Sequence, residues 1–239
     1  MAGKQSRFLK QQKVGVGIGA MLIVGIFLYL ATILIQDAPM GEFVEGEHYT
    51  LLEKPRRIRG DRVEIMEFFS YGCVHCYNFD DDIESWVQAR QDSINFIRTP
   101  VFSNEQWLIF GRTYFTLEEL EILEENHYSF FREIHDARKK LDSLDDIANF
   151  FATEDVSVEA FRLAFNSPSV NQKVNRADQL GRRFKIASVP NIIVNGKYLV
   201  KINNNVGLSR MLDVMDFLIE KEQASPDNSS TDRFQGKSR

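Results

Sequence analysis

The sequence has very few cysteines and no excess of basic residues, and both absences narrow what the protein can be. Its 239 residues include two cysteines, so it lacks the several bridges that hold a disulfide-rich secreted domain together. The formal net charge is −5, which provides no basic surface for a phosphate backbone and argues against nucleic-acid binding. With 44% hydrophobic residues, the chain can bury a sizeable core.

One long apolar run stands near the N-terminus. The 22 residues of segment 14–35 carry no charge, and as a helix of about 33 Å they would cross the hydrocarbon core of a membrane. Basic residues precede the run and acidic residues follow it, so the positive-inside rule predicts that residues 1–13 are cytoplasmic and that the main domain lies outside. The run is longer than the apolar part of a secretory signal and no clear cleavage site ends it, so we expect an anchor rather than a removed signal peptide.

The part of the chain that follows this anchor begins with a polar linker and lead-in segment, 36–60. Residues 63–69 are rich in β-forming side chains and predict a strand that leads into the cysteines. Apolar side chains then recur at helical spacing, and a short β pattern follows at 94–98. Together, residues 61–100 predict a β-α-β unit.

The β patterns disappear from the middle of the domain and return near its end. Helical patterns dominate segment 104–176, which we predict to be an inserted helical subdomain with Ser143 and Ser157 as helix N-caps. Residues 191–200 then predict a hairpin with an Asn-Gly turn, and a last helix follows. We therefore assign 61–222 to one α/β domain and expect the polar tail 223–239 to be disordered.

The two cysteines lie three positions apart, in Cys73-Val74-His75-Cys76, at the predicted start of a helix. The unpaired N–H groups and the positive dipole end of a helix N-terminus stabilise a thiolate, so we expect a low pKa for Cys73. Cys76 lies one turn further on, within reach of a reversible disulfide. A substrate thiolate would attack Cys73 and displace Cys76, while His75 would stabilise the Cys73 thiolate of the reduced pair.

The cysteine pair has two alternatives to redox chemistry, a zinc site and an inert structural disulfide. A zinc site would need two further ligands, and the remaining histidines, His48, His127 and His135, do not have metal-binding spacing. An inert staple across so short a loop would gain little stability. We therefore expect redox chemistry that uses neither a metal nor an organic cofactor.

Three polar features accompany the cysteine motif. Glu67 interrupts an apolar strand, and alternation could point it inward beneath the cysteines, where burial would raise its pKa and allow proton exchange with Cys76. The alternative is a charge that faces solvent on a half-exposed strand. Pro190 is unusual at the start of a strand and is compatible with a cis peptide bond. The acidic run 80–82 is interpreted as a complement to the positive end of its helix.

Two segments resemble the motifs of the DsbA family. They are residues 67–77, Glu-Phe-Phe-Ser-Tyr-Gly-Cys-Val-His-Cys-Tyr, and residues 189–198, Val-Pro-Asn-Ile-Ile-Val-Asn-Gly-Lys-Tyr, and segment 49–55 is similar to the family's lead-in segment. The resemblance implies a thioredoxin-like fold with an inserted helical subdomain, and the apolar run 14–35 adds one transmembrane helix before it. It also implies a role for each site residue. Cys73 is the exposed nucleophile, Cys76 is its buried partner, and His75 tunes the redox potential. Glu67 is the buried acid, and Val189 with a cis Pro190 presents backbone to an extended substrate.

The resemblance also implies a function and a location. The expected function is that of a periplasmic oxidase, which donates its disulfide to exported proteins with free thiols and is reoxidised by a quinone-linked membrane oxidase resembling DsbB. A reductase or isomerase kept reduced by a membrane electron donor remains open, as does a non-catalytic binding or chaperone module. The expected location is the cytoplasmic membrane, with a single span and a periplasmic catalytic domain, and Gly15 and Gly19 leave a homodimer open.

Two features depart from the family pattern. Val74 stands where proline is the familiar residue, and proline would fix the first helical φ angle, so the redox potential and the physiological direction are left open by the sequence. The anchor is the second departure, because many members are soluble after signal cleavage. It would confine the enzyme to substrates near the membrane.

Overall fold

The computed structural model describes Val24, Gly25, residues 43–58 and residues 60–224. Among these residues, no helix combines the length and the hydropathy needed to cross a membrane. The predicted cytoplasmic segment 1–13, almost all of the predicted anchor 14–35 and the tail beyond residue 224 lie outside the described residues.

The described domain begins at Phe43 and combines a mixed sheet with a run of helices. Its strands are β1 (Thr50–Leu51), β2 (Val63–Phe69), β3 (Ile94–Pro100), β4 (Asn191–Val194) and β5 (Tyr198–Lys201). Its helices are α1 (Val74–Gln88), α2 (Glu105–Glu119), α3 (Leu123–His135), α4 (Leu144–Phe150), α5 (Val158–Phe165), α6 (Pro168–Arg183) and α7 (Leu208–Gln223). This is a thioredoxin-like α/β fold with a helical insertion between β3 and β4.

The sheet has the strand order β1-β5-β4-β2-β3. β2 and β3 are parallel and joined by α1, while β4 pairs with β2 and β5 in antiparallel fashion. Because β2 is an interior strand covered on both faces, all seven of its side chains are buried, which is why its apolar residues do not follow a strict alternation. Glu64 and Glu67, the two charged residues of this strand, are therefore buried as well.

The core has three parts that meet around β2. Ile65 packs on one face of the sheet in a cluster with α1 and α7, whereas Met66 and Phe68 pack on the other face against Phe184. The insertion has its own aromatic cluster. This cluster extends to Cys73 and to Phe69 and Tyr71, which precede it in the chain. The cysteines therefore lie where the sheet and the helical insertion join.

Most local predictions agree with the structure. Ser143 and Ser157 cap α4 and α5, each accepting a backbone hydrogen bond of 3.1 Å. The helices of the insertion continue to Arg183, past the predicted end at 176, because Ser167 caps and Pro168 opens one further helix. Strand β1 was not predicted, since its two residues form a strand only through their pairing with β5.

Candidate active site

The turn between β2 and α1 places the cysteines. Cys73 is the N-cap of α1, in an extended conformation, and its Sγ accepts a hydrogen bond of 3.4 Å from the backbone N–H of Cys76. Gly72 comes just before it, and the indole of Trp107 occupies the space that a Cβ at this position would need. A glycine thus allows the insertion to pack directly against the turn. Val74 is half-exposed and His75 is exposed beside Cys73.

The two thiols have very different acidities. Hydrogen bonds from the Cys76 thiol and from backbone N–H groups, together with the nearby His75, lower the pKa of Cys73 to about 6 against the effect of burial. Burial raises the pKa of Cys76 well above its ordinary value, and the neighbouring Cys73 sulfur and Glu67 raise it further. Near neutral pH, the reduced pair therefore consists of a Cys73 thiolate and a Cys76 thiol.

The loop before β4 faces the sulfur of Cys73. The Val189–Pro190 peptide bond is cis, as the resemblance implied, and the Val189 carbonyl oxygen lies 3.5 Å from Cys73 Sγ. Asn191 is buried at the start of β4 and donates a hydrogen bond of 2.9 Å to the Ser188 carbonyl, which ties the loop to the sheet. The structure thus brings the two motifs, far apart in sequence, to one site.

Glu67 lies on β2 beneath this site and is 2% exposed. Burial raises its pKa to about 7, although Arg98, whose Nε donates a hydrogen bond of 3.1 Å to the carboxyl, acts in the opposite direction. Its charge also contributes to the raised pKa of Cys76. Of the two orientations that the sequence left open, the structure has the inward one.

Arg98 holds a group of carboxylates that the sequence analysis did not connect. Its Nη2 lies 3.1 Å from Asp80 Oδ1 and 3.1 Å from Glu84 Oε2, in addition to the bond with Glu67. Burial disfavours the charge of Arg98, but these carboxylates outweigh that effect and raise its pKa. Asp80 was interpreted as a complement to the positive end of its helix, but it lies beyond the first turn of α1, and its buried side chain is ion-paired with Arg98.

A signal for part of this group is present in the sequence. β2 and β3 each have seven residues and pair from their first residues, so that Glu67 stands beside Arg98 in the parallel register. Aligning the two predicted strands would have shown these opposite charges as neighbours. No such signal exists for His127, which reaches Asp80 from α3 at 3.1 Å across 47 positions of the chain.

The histidines considered as zinc ligands have other partners. His127 is buried between Asp80 and the Tyr71 hydroxyl, at 2.6 Å from the latter, and His135 Nε2 lies 2.8 Å from the Tyr71 carbonyl oxygen. His48 Nδ1 accepts a hydrogen bond from a backbone N–H. In the part of the chain that the structure describes, no group of three or more acidic, Cys or His side chains is arranged to hold a metal ion.

A dithiol at the start of a helix, a cis-proline loop against its outer sulfur and a buried acid below its inner one define the class of thioredoxin-fold redox proteins. A family model for thioredoxin matches residues 61–214. The thiol:disulfide interchange protein DsbA of Pseudomonas aeruginosa is 31% identical over 205 residues, which are 85% of this chain and 97% of that protein. DsbA of Pseudomonas syringae pv. tomato is 32% identical, over 85% of this chain and 96% of that protein.

Solved structures agree with these relatives. A crystal structure of Pseudomonas aeruginosa DsbA aligns with a TM-score of 0.72 at 31% identity, covering 77% of this chain and 97% of that one. DsbA from Xylella fastidiosa aligns with a TM-score of 0.71 at 26% identity, covering 77% and 99%. The chain therefore belongs to the DsbA family and is a thiol–disulfide oxidoreductase.

Proposed function

We propose that this chain is an oxidase that donates the Cys73–Cys76 disulfide to exported proteins with free thiols. The observation that carries the proposal is the unequal acidity of the two thiols, with the pKa of Cys73 at about 6 and that of Cys76 raised. A stabilised thiolate favours the reduced pair, which shifts the exchange toward transfer of the disulfide to a substrate. A disulfide donor requires this property.

The proposed reaction begins when a substrate thiolate attacks the Sγ atom of Cys73. A disulfide forms between substrate and Cys73, the Cys73–Cys76 bond breaks, and its electron pair leaves on the sulfur of Cys76. Cys76 then takes a proton from the carboxyl group of Glu67. A second substrate thiolate attacks the substrate sulfur of the mixed disulfide and releases the Cys73 thiolate, so the substrate dithiol is oxidised and the enzyme pair is reduced.

His75 and the cis-proline loop have supporting roles in this proposal. The charge of His75 lowers the pKa of Cys73, so we assign it the tuning of the redox potential. The Val189 carbonyl beside Cys73 Sγ is placed where an extended substrate would pair through its backbone, next to Pro190. Recognition through backbone would let one enzyme serve many exported proteins.

The proposed location is the periplasmic side of the cytoplasmic membrane. Segment 14–35 would be the single-pass anchor, with residues 1–13 in the cytoplasm, and a homodimer through its glycines remains a proposal for the same segment. The reduced pair would be reoxidised by a quinone-linked membrane oxidase that resembles DsbB and takes up the electrons. An anchored enzyme would meet its substrates as they emerge from the membrane.

The test is the equilibrium reduction potential of the cysteine pair in the full chain, measured against glutathione buffers. We expect a value near that of a disulfide donor, about −120 mV, rather than that of a thioredoxin-type reductant, about −270 mV. A value near the latter would overturn the oxidase and favour a reductase or isomerase. Cys73→Ser is the control, since it cannot form the disulfide. If this variant promotes the folding of unfolded proteins as well as the natural chain does, the protein is a non-catalytic binding module.

The departure at Val74 has its own matched variant. Val74 is the first residue of α1 and half-exposed, a position that accepts proline without loss of a helical hydrogen bond. Because Val74→Pro leaves the hydrogen bonds to Cys73 Sγ in place, we expect the potential to change by less than about 30 mV. A larger change would show that the valine itself sets the redox potential.

A further inference from the structure

The buried charges below the cysteines are unequal in number. Glu67 and Asp80 are both buried carboxyl groups, 2% and 5% exposed, and one cation, Arg98, lies between them. Glu84 also contacts Arg98, but its side chain is 44% exposed and shares its charge with solvent. A second buried negative charge beside a single cation is costly, so one of the two buried carboxyls is favoured to hold a proton.

His127 distinguishes the two carboxyls. Its Nε2 lies 3.1 Å from Asp80 Oδ1, the oxygen that also accepts a hydrogen bond from Arg98, whereas the Glu67 carboxyl accepts its hydrogen bond from Arg98. Burial lowers the pKa of His127, so the ring is neutral near pH 7 and can donate from only one nitrogen. Against the effect of burial, the contacts with His127 and Arg98 lower the pKa of Asp80, so this carboxyl is ionised and can only accept a hydrogen bond. The donating nitrogen of His127 is therefore Nε2.

Tyr71 sets the same arrangement from the other side of the ring. Its hydroxyl lies 2.6 Å from His127 Nδ1, and the acceptor state of Nδ1 makes the hydroxyl the donor. The chain of hydrogen bonds therefore runs from Tyr71 through His127 to Asp80. The other charged and titratable groups that face these residues are Glu84 and Cys76 on α1, and Tyr114 on α2.

We propose that His127 is a positioning residue that decides which of the two buried carboxyls holds the proton. Its hydrogen bond stabilises the ionised form of Asp80 more than the protonated form, and Glu67 is left as the carboxyl that exchanges a proton with Cys76. His127 thus acts on the reaction through other residues and touches neither sulfur nor substrate. This inference rests on the proposed function, because it concerns the source of the proton that Cys76 takes.

The test measures the rate at which a dithiol peptide reduces the oxidised full chain, at a series of pH values between about 5 and 9. Each rate constant is divided by the thiolate fraction of the peptide at that pH, which gives a corrected rate constant. In the natural protein, the corrected rate constant should fall with a midpoint near pH 7 as Glu67 loses its proton. Glu67→Gln should abolish this midpoint.

Two substitutions at His127 form a matched pair. His127→Phe keeps an aromatic ring among its aromatic neighbours but has no hydrogen-bond donor, so Asp80 and Glu67 become more equal and the midpoint should fall by about one pH unit. At pH 7, this corresponds to a corrected rate about fivefold lower. His127→Gln can donate to Asp80 and accept from Tyr71, and should keep the midpoint near that of the natural protein.

A second route keeps the test valid if His127→Phe does not fold. Asp80→Asn removes the competing charge beside Arg98 with little change of shape, so the midpoint should fall further than in His127→Phe. Infrared spectra near pH 6.5 give a readout separate from exchange. The band of a protonated carboxyl should disappear in Glu67→Gln, and it should be weaker in His127→Phe than in the natural protein, because the lowered pKa of Glu67 leaves less of this carboxyl protonated.

The outcomes separate this inference from the proposed function. If the natural protein and Glu67→Gln have the same profile, Glu67 is not the proton source, and both the proposed proton transfer and the role of His127 fail. If Glu67→Gln abolishes the midpoint but His127→Phe and Asp80→Asn leave it unchanged, the inference fails and the proposed function stands. If His127→Gln lowers the midpoint and the stability as much as His127→Phe does, the hydrogen bond to Asp80 does not place the proton and His127 has only a structural role.

Discussion

Glu67→Gln should change how the stability of the protein depends on pH. The pKa of Glu67 is raised from 4.5 to about 7 in the folded protein because the carboxyl is buried. Between these two values, the folded state binds more protons than the unfolded state, so the free energy of unfolding falls as the pH rises. The interval corresponds, at about 1.4 kcal/mol per pH unit, to a loss of about 3 kcal/mol that is complete above pH 7.

Glutamine resembles the protonated carboxyl but cannot ionise, so this loss should be absent from the variant. We expect Glu67→Gln to gain about 3 kcal/mol relative to the natural protein between pH 4 and pH 8. The difference in free energy of unfolding between the two proteins at pH 4 reflects only the altered hydrogen bond between residue 67 and Arg98.

The measurement is urea unfolding of both proteins at a series of pH values. The oxidised form should be used, since the cysteines then do not titrate. His127, whose pKa is lowered by burial, gives a pH dependence of the opposite sign, but it is common to both proteins and cancels in their difference. Parallel curves for the two proteins would refute the buried, proton-carrying state of Glu67.

Three further predictions concern other parts of the fold. Burial raises the pKa of Glu222, but hydrogen bonds from three side chains outweigh this effect and lower the pKa. Glu222→Gln should therefore destabilise the protein by about 2 kcal/mol at pH 7. In urea unfolding, this difference in stability should disappear well below pH 4.5. Arg98→Met leaves Glu67 and Asp80 without their cation and should cost about 3–5 kcal/mol at pH 7, so a loss below about 1 kcal/mol in the same assay would contradict the ion-pair assignment. Ser157→Ala removes the N-cap of α5 and should lower the melting temperature by about 2–4 °C in calorimetry, whereas Ser157→Asp keeps an acceptor and should not.

Local patterns in the sequence were enough to locate the reactive pair and the elements that hold it. The cysteines stand where a β-forming run meets a helical period, and the structure makes Cys73 the N-cap of that helix. The Asn-Gly turn and the serine N-caps were readable for the same reason, because a turn or a cap depends on residues within four positions. The distant motif around Pro190 was recognised by resemblance, and only the fold shows that it faces Cys73.

The environment of the site was decided by tertiary structure. Sequence spacing left the orientation of Glu67 open, and Glu67 is buried because β2 is an interior strand of a sheet that is covered on both faces. The local sequence showed Asp80 only as an acidic residue of its own helix, because its partners, Arg98 and His127, come from β3 and α3. A local pattern carries no information about partners this far along the chain, and burial, rather than residue type, gives a carboxyl such as Glu67 an unusual pKa. The reactive thiols were therefore readable from the sequence, whereas the control of their protons depends on contacts that only folding creates.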